Sequence, residues 1–291
     1  MLTMLTSSKV IVTGIGLLVV IALLSARAQF FGGGGYRRSY EIRNPETIKE
    51  QEEMEKSLAP GFKEDVFTFA RLKFGANRGS RFGGGGTWDD DTPEADLSLT
   101  YRLYQVTSFK VRPGLHFVDI TTKDLADYPF VYVTAGRLEL TEDEVAALRN
   151  YLLSGGFLMV DDFWGDDQWQ RFYEQIKRVF PDREPVELTL DHRIFHTVFD
   201  FKKAPQIPSV GSFLSTRQSY DRGWPYVEKD HGPHYYAIYD GKQRMMVVIC
   251  HNNHFGDGWE HETDDHSYFD AFSEPMAYPM FINILVYAMT H

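Results

Sequence analysis

The chain has 291 residues, 43% hydrophobic and 24% charged, with 30 basic and 41 acidic side chains and a formal net charge of −11. That balance excludes a basic nucleic-acid face, and the composition is that of a globular protein of one or two domains. A lone cysteine, Cys250, excludes an internal disulfide, so stability has to come from the core.

Lys9 is followed by an uncharged stretch from Val10 to Leu24, and Ala26-Arg27-Ala28 offers an A-x-A cleavage site. Residues 1–28 therefore read as a secretory signal peptide, and the protein as periplasmic or extracellular. The alternative is an uncleaved anchor over residues 10–24, which falls short of the roughly 20 residues that span a bilayer. Membrane contact is expected through this segment alone. Cleavage removes Lys9 and Arg27 and leaves 28 basic against 41 acidic residues, a net charge of −13.

Residues 29–62, with Gly32 to Gly35 and the charged run Glu46 to Lys56, read as a flexible tether holding at most a short solvated helix. A single domain is expected over residues 63–291. It opens with a strand-like run, Val66 to Leu72, and a long loop, Gly75 to Asp91, carrying Arg78, Arg81, four glycines and Trp88. Thr92-Pro93-Glu94 predicts a helix start, with Leu99, Leu103 and Val106 as its apolar face. Leu115 to Ile120 and Phe130 to Thr134 predict two further strands. Thr141 to Glu144 is a capping box for a helix ending at Gly155.

Phe157-Leu-Met-Val160 is four apolar residues in a row, bounded by Gly155-Gly156 and Asp161-Asp162. It predicts a buried parallel strand whose last residues surface at the carboxyl rim, where open α/β sheets handle ligands. A helix from Asp166 to Val179 follows. Tyr235 to Tyr239 and Arg244 to Cys250, joined through Asp240-Gly241, predict an antiparallel hairpin. A helix over Pro279 to Met289 closes the chain. The alternation predicts an α/β fold, a mostly parallel central sheet flanked by helices.

If these strands are parallel, one rim gathers the candidate ligand-binding residues Arg78, Arg81, Trp88, Arg137, Asp161, Asp162, Trp164 and Asn252. Adjacent strand residues face opposite sides, so only one of Asp161 and Asp162 can point into a given crevice. The segment His251 to His266 is dense in metal-type side chains, and Asp162, His251 and His254 form the candidate set for a divalent metal. No other cofactor is indicated: GxxxxGK[ST], HExxH and GxSxG are all missing. His192 and His196 are four apart and could share a helical face, although Ile194 and Phe195 favour packing.

Phe69-Ala-Arg-Leu-Lys-Phe74 with the Gly-rich loop and Trp88, Ala95-Asp-Leu97, Tyr151 through Asp162, Asp191-His192 with Ile194-Phe-His196, and Asn283 through Thr290 together resemble the bacterial family called domain of unknown function 4159. The resemblance covers about residues 64–290. It implies similarity to flavodoxin-like and class I glutamine-amidotransferase-like domains, and carries no established reaction. Cys250 does not sit between glycines, which departs from the amidotransferase pattern. The expected function is a non-catalytic binding or accessory module of the cell envelope, with an envelope protein, a glycan or a small molecule as partner. The alternative is a metal-dependent hydrolase using the rim.

Overall fold

β-Branched and aromatic runs pair into one seven-stranded sheet in a computed structural model, which describes residues 45–58, 66–75, 87–217, 232–260 and 265–291. The strands are β1 (Ala70–Lys73), β2 (His116–Asp119), β3 (Phe130–Thr134), β4 (Phe157–Asp161), β5 (Val186–Glu187), β6 (His234–Tyr239) and β7 (Met245–His251). Their spatial order is β2-β1-β3-β4-β7-β6-β5. Strands β2, β1, β3, β4 and β7 run parallel, whereas β6 and β5 return antiparallel. The fold is thus the expected α/β type, with an antiparallel margin built on the expected hairpin. Within the parallel part the order of winding reverses between β1 and β3, the topological switch point of a doubly wound sheet.

Helices α1 (Pro45–Ser57), α2 (Glu94–Val106), α3 (Glu142–Leu153), α4 (Gly165–Val179), α5 (Val210–Thr216), α6 (Phe255–Glu260) and α7 (Tyr278–Thr290) flank the sheet. Period-2 alternation divides the strands between two apolar layers. Phe69, Phe130, Tyr132, Phe157, Met159, Val248 and Cys250 share a core with α2, α6 and α7. Leu72, Val131, Val133, Leu158, Val160, Val247 and Ile249 share the other with α3 and α4. Helix α1 rises from the segment expected to be a solvated tether, and its Met54 is fully buried in the first layer.

Local signals act largely as the sequence leads one to expect. The Thr141/Glu144 capping box forms with both reciprocal bonds. Helix α2 differs at its start and on its apolar face. Thr92 gives its hydroxyl to the Asp89 carbonyl at 2.7 Å, so it does not cap the helix. Val106 is exposed while Leu99 and Leu103 are buried. The stretch Val66 to Leu72 pairs later than expected, because Phe67 makes only an isolated bridge to Val111 before β1 begins at Ala70. Between His266 and α7 the chain turns once and then runs as a π-helix over Phe269–Ala277, around Pro275, which has no amide proton to donate. Among the described residues no helix is long and apolar enough to cross a membrane.

Candidate functional site

The first layer of the sheet stays apolar until the strands reach their carboxyl ends, where it turns polar. On β1 the inward position after Phe69 is Arg71, on β3 the inward position is Tyr132, and on β4 it is Asp161, all fully buried. Arg71 holds both carboxylate oxygens of Asp96 on α2, its Nε at 3.0 and 2.8 Å. Its Nη1 donates to the Asp90 carbonyl at 2.7 Å, and its guanidinium lies 5.1 Å from the centre of the Tyr132 ring. The Tyr132 hydroxyl donates to Asp161 Oδ2 at 2.9 Å. That same oxygen accepts the amides of Phe255 at 2.7 Å and Gly256 at 3.3 Å, the first residues of α6. Asp161 therefore ties β4 to the positive end of a helix, while its Oδ1 is buried with no hydrogen-bond partner among the described residues.

Around this buried chain lies a ring of carboxylates centred on His254. His254 Nε2 is 3.1 Å from Asp91 Oδ2 and 3.6 Å from Asp162 Oδ1, and Nδ1 is 3.5 Å from Asp257 Oδ2. Three separate connections supply these groups: the β1–α2 loop, the end of β4, and the β7–α6 junction. Asp91 and Asp162 both adopt left-handed backbone, with φ of 60° and 57°, a conformation that aspartate tolerates better than most residues. Gly256 is required by close approach: a Cβ there would lie 2.0 Å from Asp91 Oδ2. Asp257 is fixed in turn by the Val210 amide at 2.7 Å.

Electrostatics follow from the crowding. Burial alone would lower the His254 pKa, yet Asp162, Asp257 and Asp91 hold it well above the ordinary value, so the surrounding carboxyl groups favour the protonated ring. Burial, resisted by His254, pushes Asp162 well up, with Asp91, Asp90 and Asp161 adding like-charge repulsion. Asp161 is pushed up to about 6 by burial, against the pull of His254 and of the Tyr132 hydrogen bond. The donor atoms of Asp91, His254 and Asp257 all lie within 4.8 Å of one another, a compact set that could hold a metal ion.

A family profile described as domain of unknown function (DUF4159) matches residues 68–289. The chain belongs to this family. No curated protein matches it. The DUF4159 profile spans β1 through most of α7 and so contains every member of the His254 cluster.

The residues that the sequence nominated in this DUF4159 chain are only partly brought together. Asp162 and His254 meet, and Asp161 lies directly behind them. His251 does not join them. As the last residue of β7 it turns into the opposite layer, its ring 5.0 Å from Phe163 and 5.1 Å from Trp169. Asn252 clamps backbone, accepting from the Gly165 amide at 2.9 Å and donating to the Gly232 carbonyl at 2.8 Å. Trp164 is buried at the start of α4, and Arg137 is exposed after β3. Trp88 packs edge-on against Phe117, with the Lys73 ammonium 5.1 Å from its ring, in a cleft of about 390 Å³ at the β1–β2 margin. Arg78, Arg81 and the expected signal segment lie outside the described residues. His192 and His196 flank a 3-10 turn instead of sharing a helix face, and His196 pairs with Asp200. Sequence reasoning nominated neither Asp91 nor Asp257, although both lie in stretches it singled out, and it passed over the Arg71–Asp96 pair. Asp96 was detectable, because positions 96, 99, 100 and 103 trace one buried helical stripe.

The raised Asp161 pKa carries a sign. Its folded value of about 6 lies above the ordinary carboxylate value, so between roughly pH 4 and 6 the folded chain holds a proton that the unfolded chain has released. Stability contributed by this group is then lost as pH rises through that window, by up to about 3 kcal/mol. Asp161→Asn cannot titrate and keeps an oxygen for the two α6 amides. Urea unfolding of the variant is expected to show a flatter stability profile from pH 4 to 7, with its largest gain over the parent near neutrality. An unchanged slope would contradict this account of Asp161.

Proposed function

We propose that the chain is an exported binding or accessory module of the bacterial cell envelope, and that it engages a protein, glycan or small ligand at the carboxyl rim around His254. The observation carrying this reading is the convergence of Asp91, Asp162, His254 and Asp257 from three connections onto one point of the rim. Open α/β sheets bind ligands at that position. The one cysteine offers no competing nucleophile: Cys250 is fully buried, and burial together with Asp161 pushes its thiol well up. The strand order supports kinship with flavodoxin-like and amidotransferase-like domains, a kinship of fold and not of reaction.

Binding is tested by passing envelope extract and a polysaccharide array over the immobilised full chain. Asp162→Asn is expected to lose the ligand, while Lys242→Ala, in the turn at the opposite end of the β6–β7 hairpin, keeps it. Equal retention by the rim variant and the parent would overturn the assignment. A second reading, metal-dependent hydrolysis, draws on the 3.6 Å approach of Asp162 to His254. It requires turnover of an ester, amide or glycosidic substrate that is abolished by both chelation and Asp162→Asn.

A further inference from the structure

The geometry points to a divalent transition-metal site, which we propose is formed by Asp91 Oδ2, Asp162 Oδ1 and His254 Nε2, with Asp257 positioning the imidazole from behind. The proposal rests on the rim being the working site, and it names the chemistry of that rim.

One imidazole cannot turn both nitrogens to the same ion, so the four side chains have to divide between two roles. Asp91 and Asp162 lie on the Nε2 side at 3.1 and 3.6 Å. Metal–donor bonds of about 2.0–2.2 Å at a tetrahedral angle set neighbouring donors ~3.3 Å apart, and the two edges that meet at His254 Nε2 bracket that value. Asp257 lies on the Nδ1 side at 3.5 Å. That is the place of the outer carboxylate that receives the second ring N–H of a metal-bound histidine and fixes its tautomer. The Val210 amide, 2.7 Å from Asp257 Oδ2, orients this carboxylate in turn. The arrangement is thus a carboxylate–histidine pair aimed at two further carboxylates.

An independent observation comes from Asp161. It is fully buried, its Oδ2 is satisfied three times over, and its Oδ1 has no hydrogen-bond partner among the described residues. An unpartnered carboxylate oxygen in the interior is costly unless positive charge stands nearby. Asp161 immediately precedes Asp162, and its Oδ2 accepts the amide of Phe255, the residue after His254, so this carboxylate lies directly beside the proposed site, where positive charge is favoured. Two carboxylates and one imidazole suit zinc or manganese better than calcium, which prefers an all-oxygen shell. Three protein donors leave a position for water or ligand.

Isothermal titration of the metal-free full chain with Zn²⁺ and Mn²⁺ tests the site, with Ca²⁺ as comparison. One equivalent of Zn²⁺ or Mn²⁺ is expected to bind saturably, with Ca²⁺ far weaker. Asp162→Asn and His254→Ala should abolish that equivalent, while His251→Ala, in the opposite layer, should leave it. Asp257→Asn should keep the stoichiometry, weaken affinity about 10- to 100-fold and shift the visible absorption of bound Co²⁺, which a merely structural role would not do. Circular dichroism of each metal-free variant establishes folding, and asparagine suits the left-handed backbone at position 162. Absence of a saturable equivalent in the folded parent would overturn the proposal, as would an equivalent that survives Asp162→Asn. A chain that binds metal at these residues yet captures no envelope ligand leaves the site standing and removes the binding-module reading.

Discussion

Arg71→Ala is expected to destabilise the folded chain by about 3–5 kcal/mol, enough to unfold a domain of ordinary stability. The guanidinium and the Asp96 carboxylate are both fully buried and bonded at 2.7–3.0 Å. Removing the cation strands an anion in the interior, where desolvation is no longer offset. The Asp90 carbonyl loses its donor and Tyr132 loses the charge over its ring. Equilibrium urea unfolding followed by far-UV circular dichroism measures the loss. Arg71→Met combined with Asp96→Leu, which removes both charges and keeps bulk, should recover most of it. A single alanine variant within about 1 kcal/mol of the parent would show that the pair does not anchor α2 to β1.

The second large effect is expected at Trp259 on α6. Its ring is fully buried and touches Phe69, Tyr132, Phe255 and Phe281, with centroid separations from 5.2 to 5.9 Å. Trp259→Ala removes contacts from four rings at once and should cost about 3–5 kcal/mol, since a void of that size collapses only in part. Trp259→Phe should cost much less. The indole N–H is buried with no hydrogen-bond partner among the described residues, so losing it relieves a desolvation penalty that offsets part of the lost area. Thermal unfolding of the two variants checks the order. Equal losses would mean that the unpartnered N–H carries no penalty.

The alternating layers were legible because buried parallel strands leave a plain signature. Phe157 to Val160 and Phe130 to Val133 are unbroken apolar runs, and the helix between them is bounded by the Thr141/Glu144 capping box and by Gly155. Signals that depend on a partner far away in sequence were harder to read. Arg71 within β1 looks like a solvated strand residue until Asp96, 25 residues later, is found on the buried stripe of α2. The candidate site was legible by half. Asp162 and His254 were nominated by their places beside strand ends, and they do meet. His251 was nominated on the same ground, but strand alternation sends it to the other layer, and a ligand count along the sequence cannot see that. Asp91 was hidden in an acidic loop whose neighbours Asp89 and Asp90 have the same composition, and only the left-handed turn at Asp91 singles it out.

The two ends of the sheet restrict how this protein can meet another. On one side the outermost strand is β2, four residues long, and on the other it is β5, only two residues, Val186 and Glu187. Such short margins present few unpaired backbone groups, too few to template an added strand from a partner or a second copy. Lengthening β5 would open that route and raise the risk of self-assembly. Among the described residues, the sheet is thus guarded at both margins against growing sideways by main-chain pairing.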